Sequence, residues 1–585
     1  MEVFLKKRKT KAIVFSQCEK PSFLCENIEN ILDYYFPRNY FPLFKFISEY
    51  YVCSLGEAVS LFVPFKKNQK EISPFEIETD TLLSSKQKKA LDFVEKNRIS
   101  LLFGDTGSGK TEIYIKLFEK MIREGKSCVF LLPEISLTPQ MQKRLEEKFG
   151  EKVIIWHSKL TKKRKEEFLE RIYKGEVYIV AGPRSALFLP LLNLSLIVVD
   201  EEHDESYKAN NRPRYNAKDL AVYFGKKFGI RVVLGSATPS LNSYVKYPFF
   251  RLKGGYYESK KRFIFEKSES KITPLIEKHI KKVLDEGLQA IIFLPTRANF
   301  KYLICKNCSQ IVRCPYCSVG MSLHLDKGAV RCHYCGYASK IPSNCPECGS
   351  LELVSQRIGT TEVMEEVKRR FPQVRIAKFD RDEITTDRKL RKILKDFNEK
   401  RIDILVGTQM LSKGHDYHDI SLAVILGIDN VLATADFRAR EKAMSLLLQI
   451  AGRTGRKREG TVIVQTLNED FFRKYINDYE LFLKEEIKFR KGLYPPFVKL
   501  LRFIVSHKDD AKAFKEAQNV VNCINETKKE GVELIGFAEA LIHKIASKYR
   551  YSVLLRSESA KALIETAMKC KCKICEIDMD PLSFS

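Results

Sequence analysis

The chain reads Gly104-Asp105-Thr106-Gly107-Ser108-Gly109-Lys110-Thr111 between an apolar run and a segment of helical periodicity. This stretch fits the phosphate-loop pattern G-x-x-x-x-G-K-[ST] in the strand–turn–helix setting that the pattern requires. Its glycines let backbone N–H groups approach phosphate oxygens, and the helix N-terminus adds positive potential. We expect Lys110 to contact the β- and γ-phosphates of ATP and the Thr111 hydroxyl to hold Mg²⁺. Asp105 is unusual beside a triphosphate, and we expect its side chain to point to solvent.

Short apolar runs recur on both sides of this loop and predict the architecture. Between them lie segments of helical character, a pattern typical of parallel sheets covered by helices. The first set of runs spans residues 99–103, 128–132, 153–155, 177–180, 196–199 and 232–234. The second set spans residues 290–294, 374–377, 402–406, 422–426 and 461–465. The sequence therefore predicts an α/β protein with two parallel-sheet lobes, and a cysteine-rich block interrupts the second lobe just after its first strand.

The apolar run at 196–199 ends in the acidic residues Asp200-Glu201-Glu202-His203. We expect Asp200 to bind Mg²⁺, directly or through water, and Glu201 to orient the attacking water. His203 either senses the γ-phosphate or caps a turn. A lone acidic cluster at a strand end is more often a helix cap or a solvated loop, but its position four strands after a phosphate loop favours hydrolysis.

The second lobe contains Gln449-Ile-Ala-Gly452-Arg453-Thr-Gly455-Arg456. Its two arginines are three residues apart, so both guanidinium groups can project toward an ATP held by the first lobe, as arginine fingers do. A basic Gly-rich surface loop is the alternative. That alternative leaves unexplained why each lobe supplies half of a nucleotide site.

Aromatic and basic residues alternate directly after the acidic box, at Tyr207, Lys208, Arg212, Arg214 and Tyr215. Such a composition suits stacking on bases and pairing with the phosphates of a single strand. A solvated loop would be the better interpretation of these residues alone. Their adjacency to the acidic box favours a relay between DNA and ATP.

Two further segments are candidates for coupling and strand contact. Gly235-Ser-Ala-Thr-Pro239 closes a strand of the first lobe, where it could link hydrolysis to lobe movement. Gly407-Thr-Gln409 and Lys413-Gly-His-Asp416 follow a strand of the second lobe, where they could grip a phosphate backbone.

Eight cysteines form four Cys-x-x-Cys pairs: Cys305/Cys308, Cys314/Cys317, Cys332/Cys335 and Cys345/Cys348. Eight thiolates suffice for two tetrahedral Cys₄ zinc sites, whose closed shells indicate a structural role. Binding of about 10–16 kcal/mol per site would fold a loop too small to have its own core. The spacing permits a sequential, an interleaved or a nested combination of the pairs. Near the C-terminus, Cys570, Cys572 and Cys575 are predicted to be surface thiols or strand positions rather than a third site.

Charge and hydropathy limit the partners and the compartment. The 101 Lys and Arg against 74 Asp and Glu give a net charge of +27, which favours a polyanionic partner, although a merely soluble basic protein fits the charge almost as well. No apolar run approaches the about 18 residues needed to cross a bilayer, and the basic start lacks the apolar core of a signal peptide. We predict a cytoplasmic protein, in which thiols stay reduced and paired cysteines bind metal.

From about Leu82 onward the chain resembles the PriA family of primosomal helicases. The motifs that carry the resemblance are LPEISLTPQ (132–140), RSALF (184–188), DEEHD (200–204), SYK (206–208), PRY (213–215), GTQM (407–410), KGH (413–415), DFRA (436–439) and YPPF (494–497). The resemblance implies RecA-like lobes and a superfamily 2 DNA helicase that moves 3′ to 5′ and recognises stalled or abandoned replication forks. It also implies the nested zinc arrangement, with Cys305, Cys308, Cys345 and Cys348 on one ion and Cys314, Cys317, Cys332 and Cys335 on the other.

The resemblance also implies a division into domains. These are a partial 3′-end DNA-binding domain (1–65), a linker (66–81), lobe 1 (82–256), lobe 2 (257–303 and 350–468), a zinc module (304–349) and an α+β C-terminal domain (469–585). Three departures from the family pattern stand out. The opening strands of the N-terminal domain are expected to be absent, 66–82 leaves no room for a winged-helix domain, and Pro183 replaces the usual Thr.

The partners implied by the resemblance are forked and single-stranded DNA, primosome components, the replicative helicase with its loader and single-stranded DNA-binding protein. The resemblance also implies that the protein is a monomer and is associated with the nucleoid. Two other classes of function compete. A fork-binding scaffold with an inactive motor is disfavoured because Lys110, Asp200, Glu201, Arg453 and Arg456 are all present. An RNA helicase or another translocase of the superfamily would be separated by unwinding assays on matched RNA and DNA forks.

Overall fold

The structure is a computed structural model. It describes residues 2–5, 8–14, 28, 30–133, 139–254, 261–268, 272–295, 302–305, 307–308, 310, 312–316, 321–324, 328–332, 337–356, 359–380, 382–412, 420–434, 436–455 and 459–583. The predicted strand-gripping residues Lys413–Asp416, the predicted finger Arg456 and the predicted zinc ligands Cys317 and Cys335 lie outside the described residues.

The part of the N-terminal segment from Tyr34 to Lys66 packs on the first lobe. The N-terminal segment consists of β1 (Glu2–Leu5), β2 (Arg8–Lys11), β3 (Tyr34–Tyr35), α1 (Phe41–Tyr50), α2 (Leu55–Val59) and β4 (Phe65–Lys66), with β1 antiparallel to β2 and β3 antiparallel to β4. Helix α2 begins with a capping box between Ser54 and Glu57. The Phe46 ring stacks on Tyr223 with centroids 3.8 Å apart, and Phe62 meets Phe188 edge-on at 4.9 Å. Aromatic packing therefore joins this segment to the motor.

Lobe 1 is a seven-stranded parallel sheet covered by helices. Its elements are α3 (Ser85–Lys96), β5 (Ile99–Gly104), α4 (Lys110–Arg123), β6 (Ser127–Leu131), α5 (Pro139–Phe149), β7 (Val153–Ile155), α6 (Lys162–Tyr173), β8 (Ile179–Gly182), β9 (Leu194–Asp200), α7 (Ala217–Phe228), β10 (Arg231–Ser236), α8 (Leu241–Lys246) and β11 (Phe249–Leu252). The strand order is β11-β5-β10-β9-β6-β8-β7. Only β10 separates β5 from β9, so the phosphate loop and the acidic box emerge at the same edge.

Lobe 2 begins with β12 (Lys261–Glu266), α9 (Pro274–Asp285) and β13 (Gln289–Phe293). The chain then forms a separate antiparallel sheet in the order β17-β16-β15-β14-β18. Its strands are β14 (Tyr302–Cys305), β15 (Ser322–His324), β16 (Ala329–Arg331), β17 (Ala338–Lys340) and β18 (Leu353–Gln356). The prediction that this block follows the first strand of the lobe is wrong, because β12 precedes β13. The charged, aromatic sequence of β12 suits an edge strand and lacks the continuous apolar run of a central one.

After the cysteine block the chain returns to lobe 2. The elements are α10 (Thr360–Arg370), β19 (Ile376–Phe379), α11 (Asp387–Asn398), β20 (Ile404–Gly407), α12 (Gln409–Ser412), β21 (Ile420–Ile425), α13 (Asp429–Leu432), α14 (Ala439–Ala451) and β22 (Gly460–Gln465). The six parallel strands follow the order β12-β22-β21-β13-β20-β19. Two parallel-sheet α/β lobes with a cysteine-rich insertion are thus confirmed.

The C-terminal domain is α+β, as predicted. It comprises α15 (Glu469–Tyr475), α16 (Tyr479–Arg490), β23 (Lys499–His507), α17 (Asp510–Thr527), β24 (Glu533–Ile545), β25 (Lys548–Ser557), α18 (Ala560–Cys570) and β26 (Cys575–Met579). The antiparallel sheet has the order β24-β25-β23-β26. Within the described ranges, no helix is both long and apolar enough to cross a membrane.

One expectation about the cysteines is wrong. Cys523 on α17 and Cys570 at the end of α18 form a disulfide, with their Cα atoms 5.6 Å apart. The sequence predicts reduced thiols and, at Cys570, a surface thiol or a strand position, whereas Cys570 is a buried helix residue. The two residues are 47 positions apart, and no local pattern marks them as partners. Cys575 is a buried strand residue, which agrees with the second of the two predicted alternatives, a strand position.

Candidate nucleotide site, zinc module and strand-facing loop

The phosphate loop follows β5 and opens α4. Gly107 and Gly109 have φ angles of 77° and 80°, which a side chain would strain. The Lys110 ammonium turns back into the loop, where it donates to the Gly104 carbonyl at 2.7 Å and to the Asp105 carbonyl at 3.3 Å. The loop thus presents its lysine where the phosphates of a nucleotide would lie.

The Asp105 side chain anchors the loop to the edge of the sheet. Its carboxylate accepts from Arg251 Nη2 at 2.5 Å and from the Gly254 backbone N–H at 2.8 Å. The Arg251 guanidinium also covers the Phe103 ring at 4.1 Å. The Asp105 side chain is exposed, as expected, at 39%, but it is also held in place by these two donors. Its partner lies 146 residues away, beyond the reach of local sequence reasoning.

A glutamine from α3 also supports the loop and was missed by the sequence analysis. Gln87 Nε2 donates to the Ser108 and Gly109 carbonyls at 3.4 and 3.3 Å. Gln87 also forms a capping box with Ser84, which was the local signal available in the sequence. Ser108 Oγ is buried and has no hydrogen-bond partner among the described residues, as suits a donor awaiting a phosphate oxygen.

The acidic box lies at the end of β9. Tyr114 donates its hydroxyl to Asp200 Oδ1 at 3.1 Å. Burial, and then the neighbouring Glu201 carboxylate, raise the pKa of Asp200 to about 7, while Lys110 acts in the opposite direction. Glu201 has a left-handed φ of 46°, and its Oε2 is buried with no hydrogen-bond partner within the described ranges. Two crowded carboxylates of this kind are the hard oxygen ligands that Mg²⁺ prefers.

The two lobes meet through the acidic box. The Gln449 amide on α14 donates to His203 Nε2 at 2.7 Å, and His203 Nδ1 lies 2.8 Å from Ser236 Oγ. Beside this contact, Thr238 Oγ1 lies 2.7 Å from Ser445 Oγ. The structure therefore brings together the predicted His203, Gln449 and coupling segment. Ser445 joins them without any signal in the sequence.

The arginine-bearing loop of lobe 2 faces the phosphate loop of lobe 1. A Cβ atom on Gly452 would lie 2.8 Å from Thr106 Oγ1, so the two loops approach as closely as a glycine permits. Arg453 follows directly and is buried, at 8% exposure. One predicted finger thus lies next to the residue at which the two loops meet.

Both tyrosines of the predicted strand-facing loop are core residues. Tyr207 is 1% exposed, and its hydroxyl lies 2.6 Å from the Asp200 carbonyl and 3.0 Å from that of Leu131. Tyr215 is 8% exposed and meets Phe188 edge-on. The prediction that these rings stack on bases is wrong for this conformation, because neither has a free face. The alternation that suggested stacking instead reflects packing under the acidic box.

The cations of the same loop pair with carboxylates of distant segments. Lys208 lies 2.9 Å from Asp578 Oδ1, and both side chains are buried. Arg214 pairs with Glu576 at 2.9 Å, and Arg212 pairs with Glu57 at 3.2 Å. These side chains thus fasten the loop to β26 and to the N-terminal segment.

Four cysteines of the insertion converge. The sulfurs of Cys305, Cys308, Cys345 and Cys348 all lie within 4.8 Å of one another, with 3.5 Å between Cys305 and Cys348 and 3.6 Å between Cys308 and Cys345. Tetrahedral Zn–S bonds of about 2.3 Å require sulfurs about 3.8 Å apart, so these residues fit a zinc ion. Cys314 and Cys332 are buried nearby, in the core of the insertion. Of the three pairings that the spacing leaves open, this convergence matches the outer set of the nested one.

Family models match four stretches of the chain. They are the DEAD/DEAH box helicase model (84–246), the PriA DNA helicase Cys-rich region domain (314–340), the helicase conserved C-terminal domain (349–458) and the primosomal protein N C-terminal domain (490–582). The matches agree with the two lobes, the insertion and the C-terminal sheet described above.

Curated relatives extend the match over nearly the whole chain. The replication restart protein PriA of Helicobacter pylori strain 26695 is 46% identical over 97% of this chain and 93% of its own length. The PriA protein of Bacillus subtilis strain 168 is 36% identical over 79% of this chain and 60% of its own length. Together with the helicase models, they show a zinc-binding DNA helicase, an ATP-hydrolysing enzyme. The chain belongs to the PriA family of replication restart proteins.

Proposed function

We propose that this protein moves 3′ to 5′ along DNA, recognises stalled or abandoned forks and exposes single strand for reloading of the replicative helicase. The proposal of an ATP-driven motor rests on the contact between the two lobes at the nucleotide site. There Gln449 donates to His203, and Gly452 lies against Thr106. A site divided between two lobes couples its nucleotide state to the separation of those lobes. Direction and fork preference are supported by membership of the family.

We assign the hydrolytic roles as follows. Lys110 and the loop N–H groups bind the β- and γ-phosphates, and Thr111 with Asp200 would hold Mg²⁺, which supplies charge neutralisation when bound. Glu201 orients the attacking water, since its buried Oε2 accepts no hydrogen bond among the described residues and its carboxylate lies close enough to Asp200 to raise the pKa of Asp200. Arg453, with Arg456, offsets negative charge on the γ-phosphate. His203 passes the state of the site to Gln449.

We further propose two zinc ions per chain, one on each set of four cysteines. Elemental analysis should find about two zinc ions per chain in the wild type and about one in the Cys345→Ser variant. Cys572→Ser, a half-buried thiol outside the insertion, serves as the control and should retain both. A wild-type value near one would contradict the second site, and no loss in Cys345→Ser would contradict the first.

The proposed partners are forked and single-stranded DNA, primosome components, the replicative helicase with its loader and single-stranded DNA-binding protein. We propose that the protein meets them as a monomer in the cytoplasm, on the chromosome. Residues 1–65 would contribute to binding of a DNA 3′ end.

The decisive experiment combines ATP hydrolysis with unwinding on tailed and forked duplexes. We expect DNA-stimulated hydrolysis, unwinding of 3′-tailed but not 5′-tailed duplexes, and a preference for forks that carry a leading-strand 3′ end. Matched RNA forks should not be opened. Unwinding from a 5′ tail would contradict the direction, and equal action on RNA would favour an RNA helicase.

A further inference from the structure

We propose that Arg214, Arg502 and Arg550 form a phosphate-binding site between the loop after the acidic box and the C-terminal sheet. The site deepens the proposed function and rests on it, because its occupant would be a phosphate of the translocated strand or a free phosphate ion. Guanidinium groups bind phosphate oxygens with paired, charge-assisted hydrogen bonds, which makes arginine the residue suited to this task.

The sheet register places the cluster on one face. On β23, Arg502 is paired with Leu554 of β25 and Asp578 of β26, and two residues farther along β23 Ile504 is paired with Glu576. Ser506 on β23 is paired with Arg550 on β25. Cross-strand partners share a face, and so do residues two apart on one strand. Arg502, Arg550, Glu576 and Asp578 therefore lie on the same side of the sheet.

The opposite side of the sheet belongs to the core. Phe503 and Val553 are fully buried partners there, and α17 and α18 pack against those strands. The charged face instead receives the loop of lobe 1, through the Lys208–Asp578 and Arg214–Glu576 ion pairs.

The cluster holds more positive than negative charge. Four cations, Lys208, Arg214, Arg502 and Arg550, face two carboxylates, Glu576 and Asp578. The neighbouring Asp580 also acts on Lys208, but it is paired with a fifth cation, Lys499, so the excess of two positive charges remains. Asp578 already serves both Lys208 and Arg502, at 2.9 and 3.2 Å. An excess of two positive charges at a partly buried junction is costly unless an anion joins it.

Of the four cations, Arg550 is the one that is not paired with Glu576 or Asp578. Within the described ranges, its guanidinium has no ion pair and no hydrogen bond, although the residue is only partly exposed. Burial, and then Arg502 and Arg214, hold the pKa of Arg550 below its usual range, and Glu576 only partly opposes them. Burial and Arg214 also lower the pKa of Arg502, although the neighbouring Asp578 carboxylate acts to raise it.

The cluster also has donors and an opening. The Ser506 and Ser552 hydroxyls lie on the Arg550 face, and no side-chain hydrogen bond engages either among the described residues. The Glu576 side chain is 46% exposed, so the cluster reaches solvent on that side. A phosphate entering here would compete with Glu576 for Arg214. Since Arg214 belongs to the loop whose Tyr207 contacts Asp200, such a phosphate would act close to the hydrolysis site.

The test is binding of a fluorescein-labelled oligothymidylate by the full chain across a salt series. Arg550→Gln should weaken binding about tenfold at low salt and lower the slope of log K against log salt by about one. Arg550→Lys keeps the charge and should keep the slope. Lys569→Gln removes an exposed charge from α18, on the opposite side of the sheet, and should change neither quantity.

A second arm separates the two sources of phosphate. Inorganic phosphate is exchanged for chloride at constant ionic strength. If phosphate weakens oligonucleotide binding by the wild type but not by Arg550→Gln, the site also takes the free ion; if it weakens neither, the occupant is a strand phosphate. Unchanged affinity and slope in a folded Arg550→Gln variant would overturn the proposal. If that variant does not fold, an unchanged slope in Arg214→Gln would do so. A wild type without DNA-stimulated hydrolysis would instead overturn the proposed function.

Discussion

Replacing Lys110 by alanine is expected to lower DNA-stimulated ATP hydrolysis by about a hundredfold or more, because charge stabilisation by such groups is realised in the transition state. The Lys110 ammonium lies inside the phosphate loop, where it donates to the Gly104 carbonyl, so the alanine variant removes the cation that the loop itself supplies. Phosphate release in the presence of single-stranded DNA measures the effect.

Binding of the oligonucleotide should persist in the Lys110→Ala variant, since Lys110 faces the nucleotide. Lys120→Ala is the matched control, because Lys120 lies on the same helix and makes an exposed ion pair with Glu95. It should hydrolyse ATP at the wild-type rate. Undiminished, DNA-stimulated turnover in Lys110→Ala would remove the basis for the assigned site.

Replacing Glu202 by alanine is expected to lower the free energy of unfolding by about 3–5 kcal/mol, the usual cost of leaving one partner of a buried ion pair. Glu202 accepts from Lys218 Nζ at 2.9 Å, from the Ser240 backbone N–H at 2.6 Å and from Ser243 Oγ at 2.6 Å. The Glu202 and Lys218 side chains are 0% and 8% exposed. Denaturant unfolding measures the change.

Two comparisons sharpen this prediction. The double variant Glu202→Leu/Lys218→Met removes both charges and should recover most of the loss. The exposed pair Lys66–Glu170 has a similar length of 3.1 Å, yet Glu170→Ala should cost no more than about 1 kcal/mol. Equal effects of the Glu202 and Glu170 single variants would contradict the importance of burial.

The Glu202 network also has a pH dependence of known sign. Burial acts to raise the pKa of Glu202, but Lys218 and the Ser243 hydroxyl outweigh it and hold that pKa below its usual value. A lowered folded-state pKa means that the stabilisation is present above the unfolded-state pKa, including at neutral pH. It is lost as the pH falls through the folded-state value.

Much of the motor followed from sequence because its signals are local. Continuous apolar runs marked the central strands, and the phosphate loop carries its conformational demands in its own glycines. His203 of the acidic box and Gln449 are 246 residues apart in the sequence, yet they are in contact. Both follow the topology of parallel sheets, which brings the ends of the strands to one edge.

Other features depend on contacts that no local pattern encodes. Asp105 pairs with Arg251, and Cys523 forms a disulfide with Cys570. Tyr207 points into the core because its hydroxyl donates to the Asp200 and Leu131 carbonyls. The alternation of aromatic and basic residues was correctly noticed, but composition cannot distinguish a stacking platform from a packed loop whose cations reach other domains.

The attachment of Lys208 to β26 has a consequence for how the chain is made. Lys208 Nζ donates to the Met579 carbonyl at 2.6 Å, across 371 residues of sequence. During synthesis at about 5–20 residues per second, lobe 1 leaves the ribosome long before its partner strand exists. Lys208, in the loop after the acidic box, therefore cannot pair with Asp578 until the C-terminal sheet has been synthesised. Completion of the motor is tied to the last part of translation, so that a chain interrupted early would carry a phosphate loop without a finished hydrolysis site.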